Sequence, residues 1–275
     1  MTTYPPFNNR LKEIQQQTDS LLCVGIDPDV ERLPAPLSRD ADGIGEFCRA
    51  IISTTSGEVC AYKFNSAFFE VFGARGFELL GSLRELIPPE IICIYDVKRG
   101  DIGNTARQYA RAAFETLRMD AVTLNPYMGY DAVAPFIQSP DRGAFILCLT
   151  SNPGSDDFQR QHLLSDIPLY REVARKTTEW NTENNLGLVI GATQAQSVQG
   201  IRDTAPELPM LTPGIGAQGG DLEKVLSAGL DTDGTGVVVP VSRAILYAGG
   251  DRNYADRAQE AARQLNRQIN EVRHS

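Results

Sequence analysis

Histidine is nearly absent from this chain. Of 275 residues only two are histidine: His274 is penultimate, and His162 lies in a polar, loop-like stretch. A His-based triad or a His-ligated metal is therefore all but excluded, and acid–base work falls to carboxylates and lysines. Cysteine pairs are missing too. The five cysteines (Cys23, Cys48, Cys60, Cys93, Cys148) show no C-x-x-C spacing, and four sit in apolar, strand-like runs. Such an odd, scattered set reads as reduced thiols rather than a disulfide framework or a zinc site. Positive charge is in deficit, with 26 Lys and Arg against 35 Asp and Glu and a formal net charge of -9. That argues against a nucleic-acid or anionic-membrane partner and requires any phosphate to be bound by a few placed donors. No apolar stretch approaches the roughly 18 residues of a membrane span, and the N-terminus is polar. Neither a span nor a signal peptide is expected, and the expected location is the cytoplasm. No linker, low-complexity tract or charge run marks a boundary, so residues 1–275 read as one domain.

What the chain does have is an alternation. Short apolar runs recur at 21–26, 59–64, 91–95, 121–124, 144–149, 188–190, 210–211 and 237–241, and each fits a strand, the seventh weakly. Segments with helical spacing lie between them: Phe68, Phe69, Phe72, Leu79, Leu80 and Leu83 line one, and Ala106, Ala110, Ala113, Phe114 and Leu117 another. Near-continuous apolar strands alternating with helices imply a parallel sheet covered by helices. Eight such units favour a closed (β/α)8 TIM barrel, an α/β fold, over an open doubly wound sheet. The first 20 residues are expected to form a helix leading into the barrel, with Leu11 and Ile14 as its apolar contacts. The one expansion, 152–185, predicts a longer loop and helix between the fifth and sixth strands.

The segment Asp96-Val97-Lys98-Arg99-Gly100-Asp101 places charge directly after an apolar run. Alternation in a strand would turn Asp96 and Lys98 the same way, with Asp101 in the following turn. Charges at the end of a buried strand are costly unless paired or used. An ordinary ion pair is the plain reading of D-x-K alone, but Lys63 occupies the same position in the preceding run. In a barrel, active sites form at the C-terminal strand ends. The polar residues at those ends are Asp27, then Lys63 and Asn65, then Asp96 and Lys98, then Asn125, Thr150 and Ser151, the Gly-rich loop from Pro213 to Gly220, and Ser242 with Arg243.

Gly214, Gly216 and Gly219 satisfy G-x-G-x-x-G, with Asp233 at a plausible distance for a ribose carboxylate. So late in the chain the motif leaves no room for a dinucleotide-binding sheet. A phosphate loop on strands seven and eight fits better, with backbone N–H groups approaching the anion and Arg243 gripping it. A turn capping a helix near 222–226 is compatible with either reading.

At this point the chain resembles the orotidine 5′-phosphate decarboxylase family. The likeness is carried by Asp96-Val-Lys98-Arg-Gly-Asp101-Ile102-Gly103-Asn104-Thr105, by Ala61-Tyr62-Lys63-Phe64-Asn65, and by Pro213-Gly-Ile-Gly-Ala-Gln218-Gly219-Gly with Ser242-Arg243-Ala244-Ile245. Thr150-Ser151-Asn152-Pro153-Gly154 and Thr123-Leu-Asn125-Pro126-Tyr127-Met-Gly129 are similar to its longer bacterial subgroup, type 2. The resemblance implies decarboxylation of orotidine 5′-phosphate to UMP with no metal and no cofactor. It implies that Lys63, Asp96, Lys98 and Asp101 are catalytic, with Lys98 protonating a C6 carbanion. Asp27, with Lys63, would hold the ribose hydroxyls, Ser151 would face the pyrimidine, and Pro213, Gln218, Gly219, Ser242 and Arg243 would hold the phosphate. Asp101, Ile102 and Thr105 would reach into a neighbouring subunit's site, which implies a homodimer. Ser242 departs from the glycine that many members carry before that arginine. A barrel relative sharing D-x-K-x-x-D but using Mg²⁺ on an enediolate is the enzymatic alternative, and a non-catalytic nucleotide-binding barrel is the other.

Overall fold

The structure, a computed structural model, describes residues 5–215 and 221–275. Among them eight parallel strands close into a barrel in chain order, the last pairing with the first. They are β1 (Leu22–Ile26), β2 (Ala61–Asn65), β3 (Ile92–Arg99), β4 (Ala121–Leu124), β5 (Gly143–Leu149), β6 (Leu186–Ile190), β7 (Met210–Leu211) and β8 (Val237–Val241). Closure is secured in β1, where Cys23 sits opposite Ala61 of β2 on one side and Pro240 of β8 on the other. No helix among the described residues is long and apolar enough to cross a membrane.

Two-residue alternation divides the core into two layers. Leu22, Val24 and Ile26 of β1 face outward into a shell shared with the helices. Cys23 faces inward with Cys60, Ala61, Ile92, Ile94, Ala121, Phe145, Val189, Leu211 and Val238. The expected N-terminal helix is present at Phe7–Gln17, and its buried Phe7, Leu11 and Ile14 join the inner layer. They plug the N-terminal end of the barrel. Phe7 meets Phe145 edge to face at 5.9 Å, and a Cβ on Gly143 would stand 2.3 Å from the Phe7 ring. All five cysteines are buried and free; burial pushes the Cys60 and Cys148 thiols up to about 12.

Three elements differ from expectation. The expected helical stretch after β2 is two helices, Ala67–Glu70 and Ala74–Arg84, interrupted at Gly73, whose φ of 56° is left-handed. The segment 152–185 holds the helices Ser155–Phe158 and Leu169–Trp180, joined by a turn closed by an antiparallel bridge between His162 and Pro168. The third strand runs through the charged segment to Arg99 rather than ending at residue 95. It can do so because its charged residues lie at the barrel mouth, where partners meet them.

Candidate active site

The inner layer predicts its own continuation. Two residues beyond inward Ala61 comes Lys63, two beyond Ile94 comes Asp96, two beyond Ala121 comes Thr123. Apolar positions thus give way to polar ones on the same face, toward the C-terminal mouth. There Asp96, its side chain 9% exposed, receives Lys63 Nζ on Oδ2 at 2.7 Å. Its Oδ1 receives Lys98 Nζ at 2.5 Å and the Thr123 hydroxyl at 2.9 Å. Burial alone would raise the Asp96 carboxyl; the two ammonium groups outweigh it and hold the carboxyl well below the usual carboxylate range. Burial alone would lower Lys63, but the charges of Asp27 and Asp96 more than reverse that and raise it. Lys63 is enclosed, whereas the Lys98 side chain is 50% exposed.

A local irregularity delivers Lys98. Between the pairs Tyr95–Val122 and Arg99–Leu124 the β3 strand spends more residues than β4, and Lys98 has a φ of 46°. A left-handed lysine is uncommon and marks a bulge that re-aims a side chain. Thr123 stabilises it: the N–H groups of Val97 and Lys98 each donate to Thr123 Oγ1 at 3.0 Å. The same hydroxyl therefore holds both the bulge and Asp96. Thr123 was not among the anticipated site residues, although its spacing from Ala121 was a legible signal.

Asp27, just past β1, accepts a hydrogen bond from the Ser242 hydroxyl on Oδ2 at 2.6 Å. Its Oδ1 is buried with no hydrogen-bond partner among the described residues and lies 3.8 Å from Lys63 Nζ. Gly25 makes room for this pair, since a Cβ there would stand 2.0 Å from Ser242 Oγ. The serine that departs from the family's glycine thus has a definite contact, one that sequence could not supply.

Asp27, Lys63, Pro213, Gly214, Ser242 and Arg243 line one cavity of about 220 Å³. Arg243 opens the short helix Arg243–Leu246 after β8, is exposed, and makes no ion pair among the described residues. Arg32, unanticipated, lines the same cavity; its guanidinium carbon lies 4.0 Å above the Tyr247 ring, and the Tyr247 hydroxyl accepts the Asp29 N–H at 2.7 Å. Gln218 and Gly219 lie outside the described residues. Asp233 pairs with Lys12 of the N-terminal helix, which removes it from any nucleotide site at the mouth and with it the dinucleotide reading. The helix after the Gly-rich loop, Leu222–Gly229, is capped by the Asp221 side chain on the Lys224 N–H at 3.1 Å.

The remaining expected residues stand apart. Asp101 accepts the N–H of its neighbour Ile102 at 2.8 Å, and Ile102 and Thr105 are exposed at the start of the helix Gly103–Arg111. None of the three joins the charged group within the chain. Ser151 follows β5, half-buried, outside the lining of the cavity. Among the described residues no group of three or more His, Cys, Asp or Glu is arranged to hold a metal ion.

The chain is similar to proteins already known. Residues 20–258 match the orotidine 5′-phosphate decarboxylase / HUMPS family. The chain is 46% identical over 269 residues to the orotidine 5′-phosphate decarboxylase of Thermomicrobium roseum, covering 97% of this chain and 96% of the relative. It is 50% identical over 257 residues to that of Roseiflexus castenholzii, covering 92% and 93%. The solved structure of the Leishmania donovani OMP decarboxylase superposes with a TM-score of 0.87 at 39% identity, covering 98% of this chain and 99% of that one. The chain belongs to the orotidine 5′-phosphate decarboxylase / HUMPS family.

Proposed function

We propose that the protein is an orotidine 5′-phosphate decarboxylase, converting orotidine 5′-phosphate to UMP and carbon dioxide in de novo pyrimidine synthesis with no metal or cofactor. The observation that carries this reading is the Asp96 carboxylate with a lysine on each oxygen, one enclosed and one opening toward solvent. Cleaving the bond between C6 and the carboxylate leaves an electron pair on C6 that the pyrimidine ring does not delocalise well. A cation must already stand where that charge develops, and the same carbon must then gain a proton. Lys98 supplies both: its ammonium faces the developing carbanion and then transfers a proton from Nζ to C6. Asp96 stays ionised, so it repels the substrate carboxylate before the reaction and not the neutral carbon dioxide after it, while fixing both lysines.

The cavity supports placement of the rest of the substrate. Asp27 Oδ1, buried with no hydrogen-bond partner among the described residues, has an acceptor to offer a ribose hydroxyl, with Lys63 beside it. Arg243 and the Pro213–Gly214 turn line the same space and suit the phosphate; Gln218 and Gly219, outside the described residues, are assigned to it by the family resemblance alone. Ser151 faces the pyrimidine. Phosphate binding is remote from C6, and its energy can be used to organise the reacting end. Asp101, half-buried, and Ile102 and Thr105, exposed, all stand apart from the charged group of their own chain and are read as contributions to the site of a second copy, giving a homodimer.

The test is an ultraviolet absorbance assay with orotidine 5′-phosphate in excess chelator. UMP should form at an undiminished rate. Activity that disappears with chelator and returns with Mg²⁺ would instead place the chain with metal-dependent relatives, and UMP binding without turnover would make it a binding protein.

A further inference from the structure

Ser151 has its position set by side chains rather than by the sheet. The pairing of β5 with β6 slips between Leu147 and Leu149, and the last ladder bond runs from the Gly191 N–H to the Leu149 carbonyl at 2.7 Å. Beyond it, every polar group of Thr150 is met by a side chain. Its N–H donates to Gln159 Oε1 at 2.7 Å, and its hydroxyl accepts from Gln159 Nε2 at 2.9 Å while donating to Asn152 Oδ1 at 2.6 Å. Its carbonyl accepts from Gln194 Nε2 at 3.0 Å. Such complete pairing leaves the residue one conformation.

Gln159 is itself held. Its N–H donates to the Ser155 carbonyl and its carbonyl accepts from the Tyr170 N–H, each at 2.9 Å, so both helices of the segment between β5 and β6 fix it. Arg160, next in sequence, reaches Asp156 at 3.2 Å and donates to Gln194, joining the two glutamines that grip Thr150. On the opposite side Ser151 rests on Gly191, where a Cβ would lie 2.6 Å from the Ser151 nitrogen and 2.8 Å from its Cα. The expanded segment thus contributes, from between its two helices, a carboxamide that clamps the residue before Ser151.

We propose that Gln159 is a positioning residue for pyrimidine recognition, the segment between β5 and β6 serving to set Ser151 against the base through Thr150. This inference rests on the reading of Ser151 as the pyrimidine contact. A carboxamide suits the task because it offers an acceptor to the N–H and a donor to a hydroxyl already committed to Asn152. Gln159→Glu keeps the acceptor, and the Thr150 hydroxyl can turn to donate to it. Gln159→Met removes both bonds at similar size.

The experiment measures competitive inhibition by UMP and by ribose 5-phosphate, which lacks the base, together with KM and kcat for orotidine 5′-phosphate. Gln159→Met should weaken UMP inhibition about 10-fold and raise KM alike, as for one or two lost hydrogen bonds. Ribose 5-phosphate inhibition should stay within about twofold, which also shows that the site is folded, and Gln159→Glu should stay within about threefold of the parent for UMP. In a Ser151→Ala background Gln159→Met should add little. Equal weakening of both inhibitors, unchanged UMP inhibition, a Glu variant as impaired as the Met variant, or full additivity with Ser151→Ala would each overturn the proposal. If Ser151→Ala alone leaves UMP inhibition intact, the assignment of Ser151 has failed, and the clamp's role in recognition falls with it.

Discussion

Asp120 and Asp96 are both buried carboxylates ringed by cations, at opposite ends of one barrel. Asp120, just before β4, is met by Arg10 at 3.0 Å, Arg84 at 3.2 Å and Arg142 at 3.8 Å, and accepts the Cys93 N–H at 3.0 Å. It ties the N-terminal helix, the helix Ala74–Arg84 and the start of β5 to one point. Asp96, just beyond the apolar part of β3, is met by Lys63, Lys98 and Thr123 instead. The contrast lies in the cations. Arginine stays charged and offers a fixed planar fork, which suits a permanent brace. Lysine can surrender a proton, and Lys98 is half-exposed where Arg10 and Arg84 are largely covered. A carboxylate braced by arginines holds a fold together; one held between lysines at an open mouth can do chemistry.

Substitution at each end should separate the two roles. The largest effect is expected from Lys98→Ala, which removes the group proposed as both cation and proton donor. Turnover should fall by about 10⁴-fold or more while the thermal midpoint stays close to that of the parent. Retained UMP formation would refute the proton-donor assignment. Asp120→Ala should do the reverse. Leaving arginines without their carboxylate should cost about 3–5 kcal/mol in urea unfolding, with kcat per folded molecule unchanged. A loss of kcat as large as that of Lys98→Ala would break the distinction between the ends.

Sequence revealed the two ends unequally. The barrel was legible because eight apolar runs alternate with helical spacing; Asp27 and Asp96 were legible because each follows such a run, and Lys63 because it interrupts one. Lys98 was legible as a residue but not as a conformation: alternation gives its face, whereas its left-handed φ depends on the slip between β3 and β4. Asp120 passed unnoticed although its one-dimensional context resembles that of Asp96, a carboxylate beside a strand. Its partners are Arg10, Arg84 and Arg142, scattered along the chain, and only folding assembles them. The Ser242–Asp27 bond and the Gln159 clamp escaped for the same reason.

Thr123 offers a finer test, since it supports Asp96 without carrying charge. Thr123→Val keeps the shape and removes the hydroxyl that donates to Asp96 and accepts from two backbone N–H groups. Stability should drop by about 1–3 kcal/mol, and kcat should fall further than KM changes, because Lys98 loses the bulge that aims it. The matching change at the other end has no hydroxyl to remove, so a stability loss with unaltered kcat would make Thr123 another brace of the Asp120 kind.

The smallest effect is expected in the pH dependence of stability, and its sign follows from the two shifts. The Asp96 carboxyl is lowered from an ordinary 3.8, so the stabilisation it contributes is fully present above that value and is lost as pH falls toward the lowered one. Lys63 is raised from an ordinary 10.5, so its contribution is complete below that value and is lost as pH rises through the raised one. The pair therefore supports a plateau between the two ordinary values, with a decline on each side. Asp96→Asn should make the acid decline shallower by up to about one proton, or 1.4 kcal/mol per pH unit. It should also soften the alkaline decline, because Lys63 then keeps only Asp27. Urea midpoints measured from about pH 2 to about pH 12 on the parent and the variant, so that both declines are entered, would show this. Parallel curves would mean that Asp96 and Lys63 are not coupled in the folded protein, and the mouth of the barrel would lose the fixed charges on which its difference from the Asp120 end depends.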